Sequence, residues 1–241
     1  MSTTPAPDGT QWFLHTWQDH ILEPVETALD VLAREQTELA AERDALDDFL
    51  TRLDRIEPVE QRAVPVGSPP ERPATAPVTE LRDAYSETVL SVDHFETVYD
   101  ETLVENVAIE FGPDYAALFH RESNVQFSPP IKRSLVAATE QAIDERESLE
   151  RAVKLEQRSI TSYRDRLQCL LDTLDSTVVP EWYRETFHEN VAAILGERQE
   201  ELHSSVHRFD TLDFCSYIYE DQLWTHPVLT SVARLQESVD S

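Results

Sequence analysis

The chain has only two cysteines, Cys169 and Cys215, in 241 residues. That is too few for a disulfide framework or a zinc-finger pattern. Glycine is almost as scarce, and Gly9, Gly67, Gly112 and Gly196 stand far apart. Phosphate-cradling loops, dinucleotide fingerprints and nucleophile elbows all use glycine for tight turns and close backbone approach, and none can be written here. Basic residues number 20 against 47 acidic ones, giving a formal net charge of -27, and only Lys132 and Lys154 are lysines. Affinity for phosphates comes mainly from Lys and Arg, so direct nucleic-acid binding is disfavoured. No apolar run approaches the roughly 18 residues needed to cross a membrane. The first ten residues lack the basic-then-apolar order of a secretory signal. The expectation is a soluble, cytoplasmic protein with no membrane association and no cofactor.

The densest cationic stretch holds Arg146, Arg151, Lys154, Arg158, Arg164 and Arg166, interleaved with Glu145, Glu147, Glu150, Glu156 and Asp165. Such mixing reads as a solvated helix face carrying i,i+4 pairs. Acid is spread along the whole chain instead of being gathered in a tail. At ordinary ionic strength this charge opposes the compact state by self-repulsion. At molar salt the screening length falls to roughly 3 Å and the repulsion largely disappears. Adaptation to a salt-rich cytosol follows as an expectation. A decoy of nucleic acid or a recruiter of basic partners is the rival reading, and the diffuse distribution argues against it.

What the sequence does contain is a long 4-3 hydrophobic repeat, present twice. The first copy runs Val25, Leu29, Leu32, Gln36, Leu39, Arg43, Leu46, Leu50, Leu53; the second runs Leu135, Thr139, Ala142, Arg146, Leu149, Val153, Glu156, Ile160, Tyr163, Leu167, Leu170, Leu174. Alternating steps of four and three keep one stripe turned to a neighbouring helix. These spans predict two coiled-coil-like helices about 43 Å and about 60 Å long. The fold class expected is all-α: an elongated antiparallel bundle of two long helices with medium and short ones.

Pro24 marks a place for a kink or restart ahead of the first long helix, which runs to about 57. A proline-rich connector follows at 58–78, then a helix over 79–111 ended by Gly112-Pro113, and a short piece at 114–122. Ser128-Pro129 opens the second long helix as an N-cap and first-turn pair. Pro180 separates it from a helix over 181–209, whose stripe is Val191, Leu195, Arg198, Leu202 and Val206. Two apolar patches close the chain, 212–219 and 228–235, the latter capped by Thr225 or His226 ahead of Pro227. The domain reading is a flexible 1–10, a first helical-hairpin half at 11–122 and a second at 123–241, packed as one domain. At an offset of 121, Glu35-Gln36 matches Glu156-Gln157 and Arg43-Asp44 matches Arg164-Asp165. Internal duplication and shared periodicity both produce such identities, and the sequence leaves both open.

Gln36, Arg43, Arg146 and Glu156 interrupt the apolar stripes. Polar residues there fix register or orientation, or they mark partly covered surface from which long side chains reach water. If that surface is uncovered, it is where a protein partner or a second copy docks. The nearest approach to a metal site is Glu200, His203 and His207, which share a helix face. That face is offset from the apolar stripe at Leu202 and Val206, so no metal is expected. Aromatic groups at Trp12, Phe13 and Trp17, at Trp182 and Tyr183, and at Tyr217, Tyr219 and Trp224 fall near helix ends. They read as plugs of a bundle, or as walls of a ligand pocket with His15, His20 and His226.

Arg43-Asp44-x-Leu46, the Pro-Pro-Ile-Lys-Arg run at 129–133, and Tyr217-Ile218-Tyr219 with Trp224-x-x-Pro227-Val228-Leu229 resemble an uncharacterised family of all-helical proteins from salt-loving archaea. The resemblance covers most of the chain and implies no known activity, catalytic residue or cofactor. The expected function is a non-enzymatic helical interaction or scaffold protein, self-associating as a homodimer or binding another protein. The alternative is a ligand- or metal-binding bundle acting as a sensor.

Overall fold

The structure, a computed structural model, describes residues 9–59, 76–93, 102–120, 125–174, 179–204 and 211–240, with side chains described from 16, 77 and 214 onward in the first, second and last stretches. Most of the connector at 58–78 and of the first ten residues lies outside these stretches, as do His207 and the side chains of Trp12, Phe13 and His15. The described residues form eight α-helices, one 3-10 turn and no strand. The helices are α1 (Gly9–Arg55), α2 (Ala76–Ser86), α3 (Leu103–Glu110), α4 (Pro113–Phe119), α5 (Pro129–Asp172), α6 (Arg184–His203), α7 (Thr211–Ile218) and α8 (Pro227–Asp240). Packing divides the chain into two compact units, one made of Met1–Gln36 with Arg151–Ser241, the other of Thr37–Glu150.

The stripes are buried in part, with Leu29 and Leu50 of the first and Leu149 of the second only half-buried. Val25, Leu32, Leu39, Leu46 and Leu53, each seven residues from the next, are all buried, and so are Leu135, Val153, Ile160, Leu167 and Leu174. Within each unit α1 and α5 run antiparallel. In the first unit Gln18 Nε2 donates to Leu171 O at 3.4 Å and Arg164 pairs with Glu26 at 3.4 Å. In the second, Arg43 pairs with Glu150 at 2.9 Å and Lys132 reaches the end of α1.

Pro24 does not restart the chain, because α1 is continuous from Gly9 to Arg55 with Pro24 inside it. Proline has no N–H for the carbonyl four residues earlier, which is that of His20. Arg234 of α8 fills the gap: its Nη1 donates to His20 O at 2.7 Å and also pairs with Glu23. A tertiary contact thus satisfies the acceptor that the local sequence orphaned.

Among the described residues the helix expected over 79–111 is divided between α2 and α3, with 94–101 outside the described stretches. After Ser86 the chain turns, and Thr88 Oγ1 and Ser91 Oγ donate to the carbonyls of Ala84 and Glu87 at 2.8 Å and 3.0 Å. Short hydroxyl side chains that bond backbone in this way compete with the helical ladder. At the other side a capping box starts α3: Thr102 accepts from Glu105 N, and the Glu105 carboxylate accepts from Thr102 N at 2.8 Å. Thr-x-x-Glu is a helix-start signal that the hydrophobic pattern masked. Gly112, at φ 100, then links α3 to α4, a conformation for which glycine carries no side-chain penalty. The helix expected over 181–209 is also shorter at both ends: residues 181–183 form a turn, and Ser204 is extended at φ -81, ψ 99.

Around the second unit's core, Tyr85 lies edge-on to Phe49 at 5.0 Å and to Phe119 at 5.5 Å. Leu53, Leu81, Val107, Phe127 and Leu135 belong to the same buried cluster. Its hydroxyl donates to Asn106 Oδ1 at 2.5 Å, so the buried polar end is satisfied.

Candidate functional site

Three of the four stripe interruptions prove to be ion-pair or hydrogen-bond centres. Arg43 bonds Asp44 at 2.7 Å and Glu150 at 2.9 Å. Arg146 bridges Glu42 at 3.1 Å and Glu110 at 2.7 Å, joining α1, α3 and α5 inside the second unit. Burial raises the pKa of Glu110 despite Arg146 beside it. Its protonated form is therefore favoured by folding, and whatever stability this group lends at low pH is lost as pH rises. Gln36 is half-buried in the first unit. The structure brings none of these four side chains together with Glu200 or His203.

Among the described residues Glu156 is the centre of the densest buried polar cluster, and all of it lies in the first unit. Its Oε1 accepts from Arg198 Nη2 at 2.6 Å and from the Tyr219 hydroxyl at 3.3 Å, and lies 4.0 Å from the Cys215 sulfur. Arg198, with its side chain 2% exposed, also donates through Nη1 to Ser159 Oγ and to Glu201 Oε2, both at 3.1 Å. Ser159 donates to the same Glu201 oxygen at 2.8 Å. Three elements build this constellation. Glu156 sits on the buried stripe of α5. Arg198 lies on the face of α6 that buries Phe187, Val191, Ile194 and Leu202, where Ile194 takes the place expected for Leu195. Cys215 lies on α7, and Tyr219 follows in the turn after it.

The electrostatics hold the uncharged members neutral. Burial by itself would lower the pKa of Arg198, but Glu156 more than reverses this and raises it. Cys215 is pushed up to about 12, first by burial and then by Glu156, so its thiolate is suppressed. Burial and Glu156 likewise raise Tyr219. Nearby Tyr163 is raised to about 12 by burial and by Glu201. A fixed guanidinium–carboxylate pair surrounded by neutral donors contains no activated nucleophile. Its chemical capacity is to fix how α5, α6 and α7 meet, since the two Nη groups of Arg198 find their partners on these helices while its buried Nε makes no hydrogen bond.

The sequence placed Arg198 on a stripe and Glu156 in a seam, but nothing in their spacing paired them. The other conspicuous residues are scattered. Glu200 and His203 are exposed, with His203 Nδ1 2.6 Å from the Gln199 carbonyl. The described residues hold no group of three or more His, Cys, Asp or Glu able to share a metal ion. Cys169 is exposed. Of the aromatic groups, Trp17 and Tyr219 are buried, Trp224 packs 5.4 Å from Tyr219, and Trp182 is 78% exposed. Tyr217 is exposed and donates to Glu35 at 3.3 Å.

Several residues of the three quoted motifs have structural work to do. Arg43 is paired, Lys132 Nζ caps α1 by donating to Asp54 O at 2.7 Å and Ile56 O at 3.0 Å, and Tyr219 donates to Glu156. Cations at helix C-termini satisfy otherwise orphaned carbonyls. The fold and site define an all-helical protein whose buried polar cluster joins helices. The chain belongs to the family described as Domain of unknown function (DUF7260), whose model matches residues 23–241. No curated protein and no solved structure matches it. Among the described residues no helix is long and apolar enough to cross a membrane.

Proposed function

We propose that the chain is a non-enzymatic helical interaction or scaffold protein, working in a salt-rich cytoplasm such as that of salt-loving archaea. Trp182 is the observation that best supports this reading. It is 78% exposed, with its ring tilted against Tyr183 at 5.5 Å ahead of α6, on a chain whose formal charge is -27. Tryptophan buries a large area on binding and is enriched among the residues that dominate interface energies. Because Arg43, Arg146 and Glu156 are engaged within the units, we assign the docking role to the surface around Trp182. The test is particle mass in molar KCl over a concentration series. Self-association is expected, with Trp182→Ala weakening it about tenfold or more, the equivalent of at least 1.4 kcal/mol. A strictly monomeric wild type, or association indifferent to Trp182→Ala, sinks this assignment.

The salt-adaptation part has its own check. Helical content by circular dichroism is expected to hold in molar KCl and to collapse on dialysis to low ionic strength, as unscreened carboxylates repel. Full cooperative folding in dilute buffer contradicts it.

A second reading, a ligand-binding bundle acting as a sensor, draws support from an open cleft of about 250 Å³ in the second unit. It is lined by Asp114, Tyr115, Leu118, Val125, Ile131 and Ser134. A small molecule retained through purification favours this reading over the scaffold.

A further inference from the structure

His226 stands at the N-terminus of α8, where its carbonyl accepts from both Thr230 N and Thr230 Oγ1 at 3.0 Å. Its ring nitrogen Nδ1 is enclosed and makes no hydrogen bond. The charged groups that act on it are Arg198 from α6 and Glu156 from α5. Glu156 is already committed: Arg198 and Tyr219 donate to its Oε1, and the Cys215 thiol of α7 points to the same atom. A second cation entering this corner meets a buried guanidinium and the positive end of the α8 dipole. The carboxylate that acts on it, Glu156, already takes Arg198 and Tyr219 on one oxygen.

We propose that His226 is an acid-sensitive latch, whose protonation releases the first turn of α8 from α6 and loosens that corner of the first unit. Far along α8, Arg234 is bonded to the His20 carbonyl and to Glu23, both on α1. Those contacts do not involve the imidazole, so release is confined to the N-terminal turn and α8 stays tethered. Burial, and then Arg198, push the His226 pKa below its ordinary 6.5, outweighing Glu156 and the Thr225 backbone. A base whose folded pKa is depressed contributes stability that is fully present above its unfolded value. That contribution is lost as pH falls through the folded value. Acid therefore opens the latch and neutral pH closes it.

The experiment follows the His226 ring by NMR in molar KCl, together with amide exchange of residues 230–232, the first to bond within the helix, corrected for intrinsic rates, between pH 8 and 4.5. The ring is expected to titrate below 6.5. Protection of the first turn is expected to fall about tenfold for each pH unit between 6.5 and the ring midpoint. In His226→Gln the protection should not change over this window. A ring midpoint at or above 6.5, protection indifferent to pH, or the same acid loss in His226→Gln overturns the latch. The ring titration needs no variant, so it decides even if His226→Gln does not fold.

Discussion

Arg198→Ala is expected to destabilise the first unit by about 3–5 kcal/mol, measured by urea unfolding in molar KCl. The substitution removes the one cation that compensates the buried Glu156 carboxylate and leaves it facing the Tyr219 hydroxyl and the Cys215 thiol alone. Neutral donors soften that cost without abolishing it, because a hydroxyl carries no countercharge. Glu156→Ala should cost less, because the guanidinium keeps Glu201 at 3.1 Å and the Ser159 hydroxyl as partners. Replacing both at once, as Arg198→Met with Glu156→Leu, removes the desolvation cost along with the attraction. The double variant is expected to be more stable than Arg198→Ala, and to fall short of the wild type by no more than about 1–3 kcal/mol, the cost of leaving the Tyr219 hydroxyl without its acceptor. A large coupling in this double-mutant cycle is the signature of a buried pair. Loss below about 1 kcal/mol in both single variants would mean that the cluster is open to water in solution.

Phe49→Ala is expected to cost the second unit about 3–5 kcal/mol. Phe49 is completely buried, edge-on to Tyr85 and stacked on Phe111 at 6.2 Å, so truncation leaves a cavity between α1, α2 and the region of α3 and α4. Helices of seven to eleven residues such as α2, α3 and α4 are too short to persist without tertiary packing. Amide exchange should therefore show their protection falling most. Ile109→Ala is the matched control: Ile109 is 69% exposed on α3, and its loss should stay within about 0.5 kcal/mol. Equal effects from the two variants would contradict the assigned core.

These two predictions rest on different kinds of information. The hydrophobic register that buries Leu46 and Leu53, on either side of Phe49, is a property of one helix read along its own axis. Alternating steps of four and three are local, so the sequence carries them in full. The interruptions at Arg43, Arg146 and Glu156 were legible as exceptions, but their meaning was not. Whether a charged stripe residue faces solvent, a partner or a countercharge depends on what another segment presents at that height. Glu156 finds Arg198 across 42 residues, and Arg146 finds Glu42 across 104. Spacing within a helix holds no information about such pairings.

The local errors have local causes. Apolar residues continue through 79–111, so periodicity alone extended one helix across a break made by Thr88 and Ser91 hydroxyls and by the Thr102–Glu105 box. Pro24 was read by its intrinsic cost, whereas Arg234, 210 residues further along the chain, supplies the missing donor to the orphaned carbonyl.

From the sequence alone came the all-helical class, the two long helices and much of what they bury, because helical periodicity and side-chain hydrophobicity are set residue by residue along one segment. Tertiary structure alone decided which buried charges meet, which helix end Lys132 caps, and why α1 continues through Pro24. Each of those outcomes depends on a donor and an acceptor from distant parts of the chain arriving within about 3 Å of each other.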